Sequence, residues 1–224
     1  MVNILISGYY GFDNIGDESI LRTLVSSLRE HIPDCSLTVL SHNPASTREK
    51  YGVEAVDRMS PMAILRAVKK CDMLISGGGS LLQDVTSSKS LHYYLSIIRC
   101  AEFFHKKVFI YSQGIGPIDR PGNRRAAAAA LKRADGIVVR DERSASLLEE
   151  IGIARDKVVI TADPVIRMKK PDGDVGAEIL RKAGVSLDGR LTVGWAIRER
   201  DTDSRFVKEL LRSIQMMKDK YNAQ

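Results

Sequence analysis

The 224-residue chain is poor in cysteine, in aromatic residues and in long apolar runs, and each shortage closes off a class of protein. Its three cysteines, Cys35, Cys71 and Cys100, have no metal-ligand spacing and make no disulfide framework. They read as free thiols in a reducing compartment. Aromatic residues amount to 6%, basic residues are scattered, and no helix-turn-helix, RNA-binding or zinc-finger pattern occurs. Nucleic acid is therefore not an expected partner. No stretch approaches the length of a membrane span. The opening Met-Val-Asn-Ile-Leu-Ile-Ser carries no basic region ahead of a long apolar one, so no secretory signal is expected and a cytoplasmic location is. His31, His42, His92 and His105 stand apart from any recognised catalytic order, and no metal or cofactor site is expected.

What remains is the composition of a globular protein, with 44% hydrophobic and 28% charged residues. The net charge of +6 reads either as a solvated basic surface or as attraction for anions. Phosphorylated small molecules, sugar diphosphates and acidic lipid headgroups are such partners, the last implying peripheral membrane contact. The sequence is compatible with an oligomer and specifies none.

Along the chain, short apolar β-rich segments alternate with segments of helical period. Strands are predicted over residues 3–7, 36–41, 73–76, 108–112, 136–139 and 158–161. Helices are predicted over residues 17–30, 61–70, 90–105, 121–134 and 143–151, the fourth carrying the five-alanine run 126–130. Short buried strands separated by helices predict a parallel sheet covered on both faces, an α/β Rossmann-like lobe over residues 1–165. Residues 166–190 read as a linker or crossover, holding a short helix at 178–183. Residues 191–224 read as the start of a second Rossmann-like lobe, with a strand at 191–197 and a helix at 204–221. Two elements make no core of their own, so a fragment of a two-lobe protein is expected.

Glycine-bearing turns follow the strands, where open α/β sheets bind ligands. The first is Gly8-Tyr9-Tyr10-Gly11-Phe12-Asp13-Asn14-Ile15-Gly16-Asp17-Glu18. It matches neither the dinucleotide fingerprint nor a phosphate loop, and its acidic pair would repel a phosphate. Asn14, Asp17 and Glu18 suit sugar hydroxyls, or they simply cap a helix. The second is Gly77-Gly78-Gly79-Ser80-Leu81-Leu82-Gln83-Asp84, which reads as an anion-binding nest with polar side chains for hydroxyls, or as a flexible turn. The third is Gln113-Gly114-Ile115-Gly116-Pro117, either a thin ligand wall or a tight turn. Arg140 leaves the strand at 136–139 ahead of Asp141 and Ser144. Its guanidinium suits a carboxylate or phosphate, or it pairs with Asp141 to organise the turn. Asp163-Pro164 marks the crossover and faces the cleft.

Together the four segments, in this order from Ser7 to Ser144, resemble the polysaccharide pyruvyltransferases, closest to the CsaB type; the likeness continues more weakly through Asp163 to Trp195. The resemblance implies two Rossmann-like lobes facing across a GT-B-like cleft. It implies phosphoenolpyruvate as donor and co-substrate, with no cofactor. It implies as acceptor an N-acetylmannosamine unit of a lipid-linked wall-polysaccharide precursor, and as product a 4,6-ketal that anchors S-layer proteins. Arg140 matches the family's first-lobe arginine for phosphoenolpyruvate. The family's Arg-Leu-His stretch, with its acid histidine, has no counterpart here. Two other functions share this fold: a GT-B glycosyltransferase using a nucleotide sugar, and a sugar- or nucleotide-binding module without catalysis.

Overall fold

A computed structural model describes residues 1–170, 173–197 and 204–224. Contacts divide the chain into two units, Met1–Met168 and Lys169–Gln224.

The first unit is one parallel sheet. Its strands are β1 (Val2–Tyr10), β2 (Cys35–Ser41), β3 (Glu54–Asp57), β4 (Met73–Gly77), β5 (Lys107–Gln113), β6 (Gly136–Val139) and β7 (Val158–Ile160), in spatial order β3-β2-β1-β4-β5-β6-β7. The order reverses direction between β1 and β4, which makes their carboxyl ends the switch point of the sheet. Alternate strand residues serve opposite faces. Ile4, Ile6 and Tyr10 of β1 join Leu21, Leu24 and Val25 of α1 (Ile15–His31) in one buried cluster. Leu5 and Leu74 face the other way, into a core with α3 (Pro61–Lys70), α4 (Ser88–Phe103), α5 (Pro121–Leu131) and α6 (Glu142–Glu150). The alanine run has a packing purpose: Ala127, Ala128 and Ala130 are buried and let α5 lie close to α4.

One pair of elements has no counterpart among the expectations. α2 (Pro44–Tyr51) is polar along its length and buries only Thr47 and Tyr51, so no apolar period betrays it. Its start and stop are nonetheless written locally, in the Asn43 cap, Pro44 in the first turn, and Gly52 at φ 61°. β3 follows as a four-residue edge strand.

The second unit holds α7 (Val175–Lys182) and α8 (Ser204–Tyr221). Residues 191–197 are not a strand, which corrects the expectation. A strand exists only through a ladder with a neighbour. Among the described residues this segment exchanges two backbone hydrogen bonds with the chain's last residue: Val193 N–H donates to Gln224 and Gln224 N–H donates to Leu191, both at 3.0 Å. No described helix is long and apolar enough to cross a membrane.

Candidate functional site at the strand ends

The loops after β4 and β5 are stitched together by the backbone. Gly114 N–H donates to Gly79 O at 3.1 Å, Gly116 N–H to Leu82 O at 2.8 Å, and Asp84 N–H to Pro117 O at 3.1 Å. The amides of Gly114 and Gly116 are therefore spent. Those of Gly79 and Ser80 find no acceptor among the described residues, so half of the expected nest is open. Three positions need glycine for close approach. A Cβ on Gly79, at φ 43°, would come within 2.7 Å of Asp17 Oδ1. One on Gly114 would lie 2.7 Å from Ser80 Oγ and 2.9 Å from a guanidinium nitrogen of Arg140. One on Gly116 would strike Leu147 at 2.2 Å.

Arg140 stands at the centre of this arrangement. Its backbone N–H donates to Gln113 O, which holds the strand end. Its guanidinium donates to Asp163 Oδ2 at 2.8 Å and to Ser80 Oγ at 3.0 Å, with Asp141 Oδ2 3.7 Å from Nε. The side chain keeps 30% of its exposure. A groove of about 430 Å³ opens beside it, lined also by Ser80, Gly114, Gly116, Arg124 and Arg143. Its volume is in the range of small-ligand sites. Arg143 makes no ion pair within 4 Å among the described residues, although it helps to hold the Asp141 carboxyl low. A groove of about 470 Å³ beside α3, reaching Asn3 and Ser36 at the starts of strands, lies away from these loops.

Asp17 approaches from the first turn of α1. Burial lifts its carboxyl from 3.8 to about 6, and Glu18 adds to the rise, while Arg140 and Arg58 pull the other way. The structure thus brings together Asp17, Gly79, Ser80, Gly114, Arg140, Asp141 and Asp163, drawn from the ends of four strands and from the turn after β7.

Other residues expected to bind substrate are engaged by partners within the chain, and some of them are buried. Tyr10 is fully buried and donates its phenol to Gly77 O at 2.6 Å. Gly8 lies under that ring, where a Cβ would meet it at 2.2 Å. Gly77 and Gly78 are buried, with a Cβ on Gly78 coming within 2.8 Å of the same phenol oxygen. Glu18 is spent as a strut: it accepts from Gly11 N–H at 2.8 Å and from the Tyr51 phenol. Gly11 is pinned by that bond and packs on Ser41 and Asn43. Gln113 is buried and donates to Ser76 O and Oγ, leaving its own Oε1 unpaired. Asp84 is buried too. Burial alone would raise its carboxyl, but donors from Asp119 N–H, Asn123 and Arg120 N–H outweigh it and hold it low. Ser144 is buried, accepts from Ile115 N–H at 2.8 Å and donates to Asp141, which caps α6. Asn14 caps α1 by accepting from the amides of Gly16 and Asp17. Gln83 folds back on Val85 and Thr86. Tyr9 stays exposed at the rim, stacked on Phe12, which stacks on His42.

Sequence reasoning missed Arg58. It is buried beneath the rings of Tyr9, Phe12, Tyr93 and Tyr94, donates to Gly8 O and Tyr94 Oη, and leaves Nε without an acceptor. Its only local signal was its place just after β3, itself unrecognised. Two of the cysteines are made poor nucleophiles by burial. Burial pushes the Cys71 thiol up to about 11, and Cys100 is also raised by burial.

A seven-stranded parallel sheet with a polar cluster at its switch point defines a Rossmann-like lobe of the kind found in GT-B proteins. The chain is similar to HepE of Anabaena in complex with UDP and glucose, with a TM-score of 0.58 and 10% identity over 100% of this chain and 68% of that one. It is similar also to the UDP-N-acetylglucosamine 2-epimerase of Rickettsia bellii, with a TM-score of 0.53 and 15% identity over 99% of this chain and 60% of that one. At such identity the likeness concerns fold alone. The particular kinship comes from sequence: residues 14–218 match the polysaccharide pyruvyl transferase family, and the chain belongs to it. It is 24% identical over 239 aligned residues to the amylovoran biosynthesis protein AmsJ of Erwinia amylovora. The alignment takes in 88% of this chain, which spans 57% of the length of AmsJ.

Proposed function

We propose that the full-length protein transfers the pyruvyl group of phosphoenolpyruvate to two hydroxyls of a polysaccharide or its precursor, forming a cyclic ketal. Family membership supports the reaction class. The observation that carries the role of this lobe is Arg140, whose guanidinium lies against Gly114 and Ser80 in an open groove. Asp163 and Ser80 each accept one hydrogen bond from that guanidinium, and its remaining N–H donors suit a phosphate or carboxylate. Arg143 lines the same groove and supplies a second guanidinium for the anion.

The chemistry asks for that charge. Protonation of C3 of phosphoenolpyruvate creates an electron-poor C2, which a sugar hydroxyl attacks. The C2–O bond to phosphate then breaks, the electron pair leaves with the phosphate, and the second hydroxyl closes the ring. Cations fixed beside the phosphate stabilise its departure. For the acceptor we propose an N-acetylmannosamine unit of a lipid-linked wall precursor, ketalised at its 4- and 6-hydroxyls and serving S-layer attachment as in the CsaB type. The reaction would take place in the cytoplasm at the inner membrane face.

Incubating the full-length protein and an acceptor glycan with phosphoenolpyruvate, or in parallel with nucleotide sugars, tests the reading by product mass. The gain of one pyruvyl ketal, dependent on phosphoenolpyruvate, is the expected result. A gain of one sugar from a nucleotide sugar would replace the reading with glycosyl transfer.

A further inference from the structure

Asp17 differs from every other carboxylate at the strand ends that is not exposed. Glu18, Asp84 and Asp141 each accept hydrogen bonds from the chain, and Asp163 accepts from Arg140 and Val165. The Asp17 carboxyl accepts none among the described residues, although it is half-buried over the β1–β4 switch point with Oδ1 pressed toward Gly79. The charged and titratable groups facing it come from six elements: Glu18 on its own helix, Arg140 after β6, Arg58 after β3, Asp163 after β7, and the phenols of Tyr10 on β1 and Tyr94 on α4. A half-buried carboxylate without donors costs stability, and that cost marks a group kept for another partner.

We propose that Asp17 is the general base of the acceptor site, taking the proton of a sugar hydroxyl as that oxygen bonds to C2 of the pyruvyl unit. The inference rests on the pyruvyl-transfer reading above. The protons balance. The first hydroxyl loses its proton to Asp17 as the O–C2 bond forms, while C3 receives a proton from the enzyme's acid. Asp17 then returns its proton to that acid through solvent. As the C2–O bond to phosphate breaks, the second hydroxyl attacks, and its proton passes by Asp17 to the departing phosphate. A carboxyl lifted to about 6 is ionised at neutral pH yet more basic than an exposed aspartate, which suits the task. Arg140 across the site keeps the pyruvyl donor within reach of the hydroxyl that Asp17 deprotonates.

The test compares full-length wild type with Asp17→Asn, in pyruvyl transfer across pH and in phosphoenolpyruvate binding by calorimetry. Wild-type kcat/KM should fall as pH drops through about 6, when the base becomes protonated. Asp17→Asn should slow transfer by about 100- to 10,000-fold. It should also lose the acidic limb, bind phosphoenolpyruvate as wild type does, and melt no lower. Near-wild-type transfer by Asp17→Asn, or an unchanged acidic limb, overturns the assignment. So does an activity loss matched by lost phosphoenolpyruvate binding or a lowered melting temperature. A wild type that makes no ketal overturns instead the reading on which the assignment rests.

Discussion

Tyr10 and Arg140 both leave the carboxyl ends of strands in one sheet, and they do opposite work. Tyr10 turns under the glycines and ties two loops together from inside. Arg140 stays at the surface of the same rim, with donors still unspent. The division runs through every motif. Glu18, Gln113, Asp84 and Ser144 are struts bonded to their neighbours, while Ser80 and Arg140 line the groove and Asp17 stays without a donor beside Gly79. Two residue populations thus share one stretch of sequence: one fixes the loops, and the other uses the position so fixed. Second-layer rigidity of this kind is what holds reacting groups in register.

The comparison can be broken by substitution. The largest effect is expected at Arg140: Arg140→Ala should cost about 2–5 kcal/mol of phosphoenolpyruvate binding by calorimetry. Its melting temperature should barely move, because a part-exposed ion pair is worth about 0–1 kcal/mol. Asp84→Ala should do the reverse. It strands three donors and should cost about 2–3 kcal/mol of stability in urea unfolding. Because the Asp84 carboxyl is held low, its contribution is full above the unfolded value of about 3.9 and is lost as pH falls through the folded one. Tyr10→Phe should cost about 1 kcal/mol of stability and leave pyruvyl transfer unchanged.

The stability effect at Asp17 distinguishes the two populations by sign. The Asp17 carboxyl is raised on folding, so the ionised form opposes the fold. Asp17→Asn should therefore raise stability by about 1 kcal/mol at pH 7, after allowance for solvent screening. The gain should disappear below about pH 4, where the wild-type group is protonated in both states. Calorimetric melting of both proteins at the two pH values checks the sign. A destabilised Asp17→Asn would move Asp17 into the strut population.

Much of the fold was legible because, outside α2 and β3, apolar runs and helical periods alternate from Val2 to Ile160. The rim was legible as glycine turns after strands, and Arg140 as a cation at a strand end. What escaped was the direction each side chain takes. Tyr10 shares the parity of Ile4 and Ile6, so extending the first strand by three residues would have turned it inward. Gln113 and Asp84 look like ligand groups in sequence, because their partners stand 35 to 39 residues away. Arg58 was invisible because the polar α2 and the short β3 that deliver it carry no periodic signal. The strand expected at residues 191–197 failed for the converse reason: apolar residues promise a strand, but only a partner makes one.

A crystal structure of the full-length protein with phosphoenolpyruvate tests the division most directly. It should place a phosphate or carboxylate oxygen about 2.7–2.9 Å from the Arg140 guanidinium, in the groove beside Gly114 and Ser80. An anion bound elsewhere, with Arg140 still closed on Asp163 and that groove empty, would contradict it.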